Sequence, residues 1–137
     1  MGRRDARVPE TLKALAQRIL PQSTREMPAF LVLAVTAGVC EEFIYRGFAM
    51  AVFTRIGLPN WSVVLVSAVM FGLAHLYQGR GGLLGTMILG ALFGVARIRY
   101  DSLVPIILWH TAVDCVAGIA GPRYLVRKEI SGVESVT

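Results

Sequence analysis

Apolar residues gather into four long runs separated by short polar turns. The runs cover about 28–57, then 61–77 (WSVVLVSAVMFGLAHLY), 81–96 (GGLLGTMILGALFGVA) and 102–121 (SLVPIILWHTAVDCVAGIAG). Each approaches the roughly 20 residues that carry a helix across hydrocarbon. The second and third are short, which predicts little tilt or a locally thinned bilayer. Ser23-Thr24-Arg25-Glu26 has the S-x-x-E form of a capping box and predicts the start of the first long helix. Gly57-Leu58-Pro59-Asn60, Gln78-Gly79-Arg80 and Arg99-Tyr100-Asp101 supply the turns. Strand alternation and internal repeats are absent from the pattern. The predicted fold is therefore all-α, a polytopic membrane protein with about four transmembrane helices.

The ends of the chain read differently. Residues 1–27 form a basic arm, in which Val8, Leu12, Leu15 and Ile19 share one face of a short helix opened by Pro9 and ended by Pro21. With Arg3, Arg4, Arg7, Lys13 and Arg18 beside it, that amphipathic helix suits an anionic membrane surface, although a solvated stub fits the same pattern. It lacks the apolar centre of a signal peptide. Residues 122–137 form a polar tail, leaving 28–121 as the intramembrane core.

Composition supports the membrane setting. The chain is 55% hydrophobic and only 17% charged, below the roughly one quarter of a soluble domain. Its net charge is +5, but the basic residues sit at the ends and in loops. That distribution marks topology and excludes a nucleic-acid groove. Six Lys or Arg lie in the arm, one in the 78–80 turn and three in the tail, against Arg55, Arg97 and Arg99 on the other side. Both termini are accordingly expected in the cytoplasm. Cys40 and Cys115 lie in apolar runs without C-x-x-C spacing, and core packing is expected of them. Gly90 and Gly94 form a G-x-x-x-G pair that would let a neighbouring helix approach closely.

Against this background the charges inside the runs stand out. VCEEFIYRGF (39–48) places Glu41, Glu42 and Arg46 at membrane depth, where a charge costs a few kcal/mol or more. Glu42 and Arg46 are four apart on one helix face, so Arg46 is the expected partner of Glu42. Glu41 projects about 100° away and is left without a local cation. His75 follows Phe71 by four residues, so the Phe71 ring can buttress the imidazole. Asp114 follows His110 by four and could fix its tautomer. Polar groups in hydrocarbon must find one another. Glu41, His75 and His110 are therefore predicted to converge on one cavity. A purely structural ion network between helices is the competing reading.

EEFIYR (41–46), FGLAH (71–75) and HTAVD (110–114) together resemble the three signature motifs of the CAAX-protease and bacteriocin-processing family of intramembrane endopeptidases, E-E-x-x-x-R, F-x-x-x-H and H-x-x-x-N/D. The resemblance covers about residues 28–121. It implies that Glu41 is the general base for water, assisted by His75. It also implies that His110 and Asp114 hold the oxyanion, while Glu42, Arg46 and Phe71 shape the site. Many members carry Asn where this chain has Asp114. An ionised carboxylate cannot donate, so Asp114 must be protonated or orient a His110 donor instead.

Family members usually have further membrane helices before the first motif. The resemblance therefore implies a chain cut to its catalytic core, with a partner or a second copy expected to supply the rest. It also implies a prokaryotic cell membrane as the location, and membrane lipid and a peptide or protein substrate as the partners. The substrate would be a CAAX-type prenylated protein or a processed peptide such as a bacteriocin. Metal-free chemistry is the expectation, since H-E-x-x-H is absent and one Glu–His pair can activate water. Zinc held by Glu41, His75 and His110 is the alternative. The rival functions are a non-catalytic membrane module, such as a pseudoenzyme or a bacteriocin self-immunity partner, and a proton or ion relay.

Overall fold

The computed structural model describes residues 10–134, with side chains at 14 and 16–121. Every regular element among them is helical: α1 (Glu10–Ile19), α2 (Met27–Glu42), a π-helical segment (Phe43–Ala49), α3 (Met50–Arg55), α4 (Asn60–Ala74), a 3₁₀ turn (Leu76–Gln78), α5 (Gly79–Tyr100) and α6 (Val104–Glu134). The all-α membrane architecture expected from the sequence is what the chain adopts. Met27–Arg55, Leu76–Tyr100 and Val104–Gly121 are long and apolar enough to cross a membrane, whereas the apolar α4 has only 15 residues.

Each boundary has a local cause. α1 spans ten residues and stops two before Pro21, and it packs on α6, where Leu20 lies over Gly121. Val8, Pro9 and Arg3, Arg4 and Arg7 of the predicted amphipathic arm lie outside the described residues. Ser23 and Glu26 do bond each other, Oγ to Oε1 at 3.0 Å, and the Gln22 amide donates to Glu26 Oε2 at 2.8 Å. They close a turn before the helix, however. The N-cap is Glu26, and Pro28 in the first turn fixes the helical φ where no intrahelical donor is needed. α3 ends in a Schellman turn. Gly57 adopts φ +88°, its amide donates to Thr54 and the Leu58 amide to Phe53. Asp101 takes the left-handed conformation at the end of α5, its carboxylate accepting from Arg97 Nη1 at 2.7 Å. α6 continues through Glu134, so the backbone of the predicted polar tail is helical up to that point, whereas residues 135–137 lie outside the described ones.

α4 and α5 pack antiparallel, and α2 pairs with α6. The Gly90–Gly94 stripe does what its spacing predicts. A Cβ built at Gly90 would come within 3.2 Å of the Ala68 backbone, and one at Gly94 within 3.1 Å of Val64. Met50, Val63 and Val64 form a small core with Phe53, Leu58 and Ala91 around it. Large side chains such as Val32, Phe48, Ile88 and Leu92 point outward, as lipid-facing residues do. Cys40 is among the exposed residues and Cys115 is half-buried, so neither packs in the core as expected. In a bundle bathed in lipid, an apolar run does not tell the inner face from the outer one.

Candidate active site

Four segments bring the polar residues together. The last turn of α2 supplies Glu41 and Glu42, and the π segment supplies Tyr45 and Arg46. The end of α4 supplies Phe71 and the residue that caps it, His75. α6 supplies His110 and Asp114. The π segment was not foreseen. A π turn leaves backbone carbonyls with altered partners and often marks a functional site. Here the Tyr45 carbonyl accepts from the Ser67 hydroxyl of α4 at 3.1 Å as well as from the Met50 amide. No period in the apolar pattern betrays it, because exposed Phe43, Ile44 and Phe48 alternate irregularly with buried Arg46 and Ala49.

One half of the cluster is sealed. Glu42, Arg46 and His110 are 0%, 1% and 4% exposed. Arg46 Nη1 donates to Glu42 Oε1 at 2.6 Å, which is the pair expected from the i,i+4 spacing. Arg46 Nη2 donates to the Gly90 carbonyl at 3.1 Å. Its guanidinium carbon lies 4.5 Å from the Phe71 ring centroid, 5.5 Å from that of Phe93 and 5.9 Å from that of Tyr45. Three aromatic rings and a backbone carbonyl thus surround the Arg46 guanidinium. The absent side chain at Gly90 makes the carbonyl contact possible, a function that the G-x-x-x-G spacing alone did not reveal.

The other half is partly exposed, although the Glu41 Oε2 atom is itself buried without a hydrogen-bond partner. Glu41, His75 and Asp114 keep 31%, 14% and 31% of their side-chain exposure. Glu41 Oε2 stands 3.9 Å from His75 Nε2 and 3.7 Å from His110 Nε2. Asp114 Oδ2 is also 3.7 Å from His110 Nε2. Glu41 therefore lies within 4 Å of both imidazoles, at separations that suit a bridging water better than direct hydrogen bonds.

Hydrogen bonds to known acceptors set the imidazole tautomers. His75 Nδ1 lies 2.8 Å from the Phe71 carbonyl, which can only accept, so Nδ1 carries the proton. The lone pair of a neutral His75 then sits on Nε2, facing Glu41. The Phe71 ring centroid is 4.6 Å from that of His75 and 5.8 Å from that of His110, so it buttresses both.

His110 differs from expectation. Its Nδ1 lies 2.7 Å from Glu42 Oε1, whereas Asp114 is beyond hydrogen-bonding distance. Glu42, not Asp114, fixes the ring. Adjacent glutamates were expected to diverge, yet Glu41 and Glu42 meet the two nitrogens of the same imidazole. The ring lies between them and is reached from both sides. No signal in the sequence paired residue 42 with residue 110.

Among the described residues, no group of three His, Cys, Asp or Glu side chains is arranged to hold a metal ion. Two zinc ligands at about 2.0–2.1 Å in a tetrahedron stand about 3.3 Å apart, closer than Glu41 stands to either imidazole.

A family model described as Rce1-like, type II CAAX prenyl endopeptidase Rce1-like, matches residues 23–116 and so takes in every residue of the cluster. No curated protein and no solved structure matches the chain.

Proposed function

The chain belongs to the Rce1-like family of type II CAAX prenyl endopeptidases, and from that membership we propose that it hydrolyses a peptide bond near the membrane interface with water activated by Glu41 and His75. The observation that carries this reading is the placement of Glu41 Oε2 at 3.9 Å from His75 Nε2 and 3.7 Å from His110 Nε2. A water shared by Glu41 and the unprotonated His75 Nε2 has its proton acceptors in place. As its oxygen attacks the carbonyl carbon, Glu41 takes the proton, a contribution of roughly 10²–10⁴-fold. The tetrahedral oxyanion forms beside His110 Nε2. Collapse breaks the C–N bond, and the proton held by Glu41 passes to the leaving amine. The products are a new carboxylate and a new amine.

His110 can donate to the oxyanion only from Nε2, since Nδ1–H is committed to Glu42. In this reading the ring donates as an imidazolium, with the Asp114 carboxylate 3.7 Å from Nε2 balancing its charge. A well-aimed donor of this kind is worth roughly 10²–10³-fold. Glu42 and Arg46 position the ring and keep the buried charges balanced. No step runs through a metal ion, and the spacing of Glu41, His75 and His110 supports that choice. The substrate class that the family implies is a protein or peptide ending in a prenylated CAAX sequence.

The purified chain in lipid vesicles, given a farnesylated peptide with a C-terminal tripeptide after the modified cysteine, is expected to release that tripeptide. Mass spectrometry reads the product. The rate should be unchanged by a chelator and much lower for the unprenylated peptide. Release of the tripeptide only after zinc is added back would refute the metal-free mechanism. No release from either peptide would refute the proposed activity.

A further inference from the structure

We infer that Tyr77 is a positioning residue for the His75 imidazole, held beside it by a clamp that Gln78 and Gly82 build. Its importance rests on the peptidase reading, in which His75 Nε2 shares the attacking water with Glu41.

His75 stands where α4 has ended. Its backbone leaves the helix at φ −102° and ψ 16°, and the 3₁₀ turn Leu76–Gln78 follows it. One hydrogen bond, from Nδ1 to the Phe71 carbonyl at 2.8 Å, aims the ring. The second side-chain torsion of a histidine is broad and roughly two-fold, so one bond does not by itself stop the ring from turning over. A turned ring would carry Nε2 away from Glu41. Two neighbouring rings oppose that motion. Phe71 lies 4.6 Å away between centroids, and Tyr77 lies 5.8 Å away with its plane inclined by 33°. Residues two apart do not face each other on a helix. The break at His75 is what brings residue 77 back to it, and no helical period could reveal the contact.

Tyr77 is itself held. It is 52% exposed, so burial alone does not fix it. Its hydroxyl accepts from Gln78 Nε2 at 3.2 Å. The Gln78 side chain in turn lies against Gly82 in the first turn of α5. A Cβ at Gly82 would collide with Gln78 Cβ and come within 2.9 Å of Oε1, whereas one at Gly81 would meet open space. The contacts from Gly82 through Gln78 and Tyr77 to His75 thus tie the start of α5 to the imidazole that faces Glu41.

His75 and His110 are the only histidines, so NMR of the chain carrying isotope-labelled histidine reads both imidazoles separately. Wild type should show His75 in a single tautomer, protonated at Nδ1. Tyr77→Leu and Gly82→Ala should average the two nitrogens of His75 and leave those of His110 unchanged, while Gly81→Ala should match wild type. On the farnesylated peptide, Tyr77→Leu should lower kcat by at least about tenfold with KM within about twofold of wild type. Tyr77→Phe keeps the ring and should restore kcat to within about threefold. An unchanged His75 signal in Tyr77→Leu would overturn the inference whether or not the peptide is cleaved. A loss carried by KM with kcat intact would also overturn it, by making Tyr77 a substrate contact. Averaging at His75 in a chain whose wild type cleaves nothing would uphold the clamp and refute the peptidase reading.

Discussion

Glu42 is the residue on which two interactions depend. Its Oε1 accepts from Arg46 at 2.6 Å and from His110 at 2.7 Å, and all three side chains are buried. Removing one partner leaves an uncompensated buried charge, which costs about 3–5 kcal/mol. Glu42→Gln and Arg46→Ala are therefore expected to lower the thermal unfolding temperature markedly in detergent. Glu41→Gln, at a half-open position with no direct partner, should leave it nearly unchanged. Equal melting temperatures for Glu41→Gln and Glu42→Gln would contradict the division into a sealed half and a partly exposed half. The Glu42–Arg46 pair was legible from its spacing on one turn. The Glu42–His110 bond was not, because it joins helices 68 residues apart and depends on how α6 is set against α2.

Elements meet here through small residues and one irregular turn. A Cβ at Gly90 would press at 3.2 Å on the Ala68 backbone, Arg46 Nη2 and the Phe71 ring. Gly90→Ala should push α5 from α4 and cost about 1–3 kcal/mol. Gly85, on the same helix with open space around it, is the control. Gly85→Ala should be neutral or stabilising by up to about 1 kcal/mol. Similar losses at both positions, read from chemical or thermal unfolding, would show that the glycines act through helix propensity alone. Ser67→Ala removes the hydroxyl that donates to the Tyr45 carbonyl within the π segment; the carbonyl keeps the Met50 amide, so the cost should be about 0.5–1.5 kcal/mol. Helix existence and the close α4–α5 approach were readable from apolar runs and G-x-x-x-G spacing. The π segment and the position of the first N-cap were not. Both depend on single hydrogen bonds that alternative local geometries satisfy equally well in the sequence pattern.

At the scale of the whole molecule, one long helix, a short one and two further spans place a polar cluster inside an apolar bundle, with its partly exposed side at Glu41, His75 and Asp114. The charge distribution of the loops leads us to propose cytoplasmic termini. Single cysteines at Tyr77 and Gly57, in a chain with Cys40 and Cys115 replaced, should then label with an impermeant reagent from the cytoplasmic and the external face respectively. The opposite pattern would invert the topology. The cluster itself was legible because polar groups in hydrocarbon are few and must meet. Its role rests on the chemistry of Glu41. A non-catalytic module would tolerate any change there that preserves folding. The most direct measurement is the rate of cleavage of a farnesylated CAAX peptide by wild type and Glu41→Gln, reconstituted side by side at matched melting temperature. The account predicts cleavage by wild type and a loss of at least about 100-fold in the variant; cleavage by Glu41→Gln at the wild-type rate would contradict it.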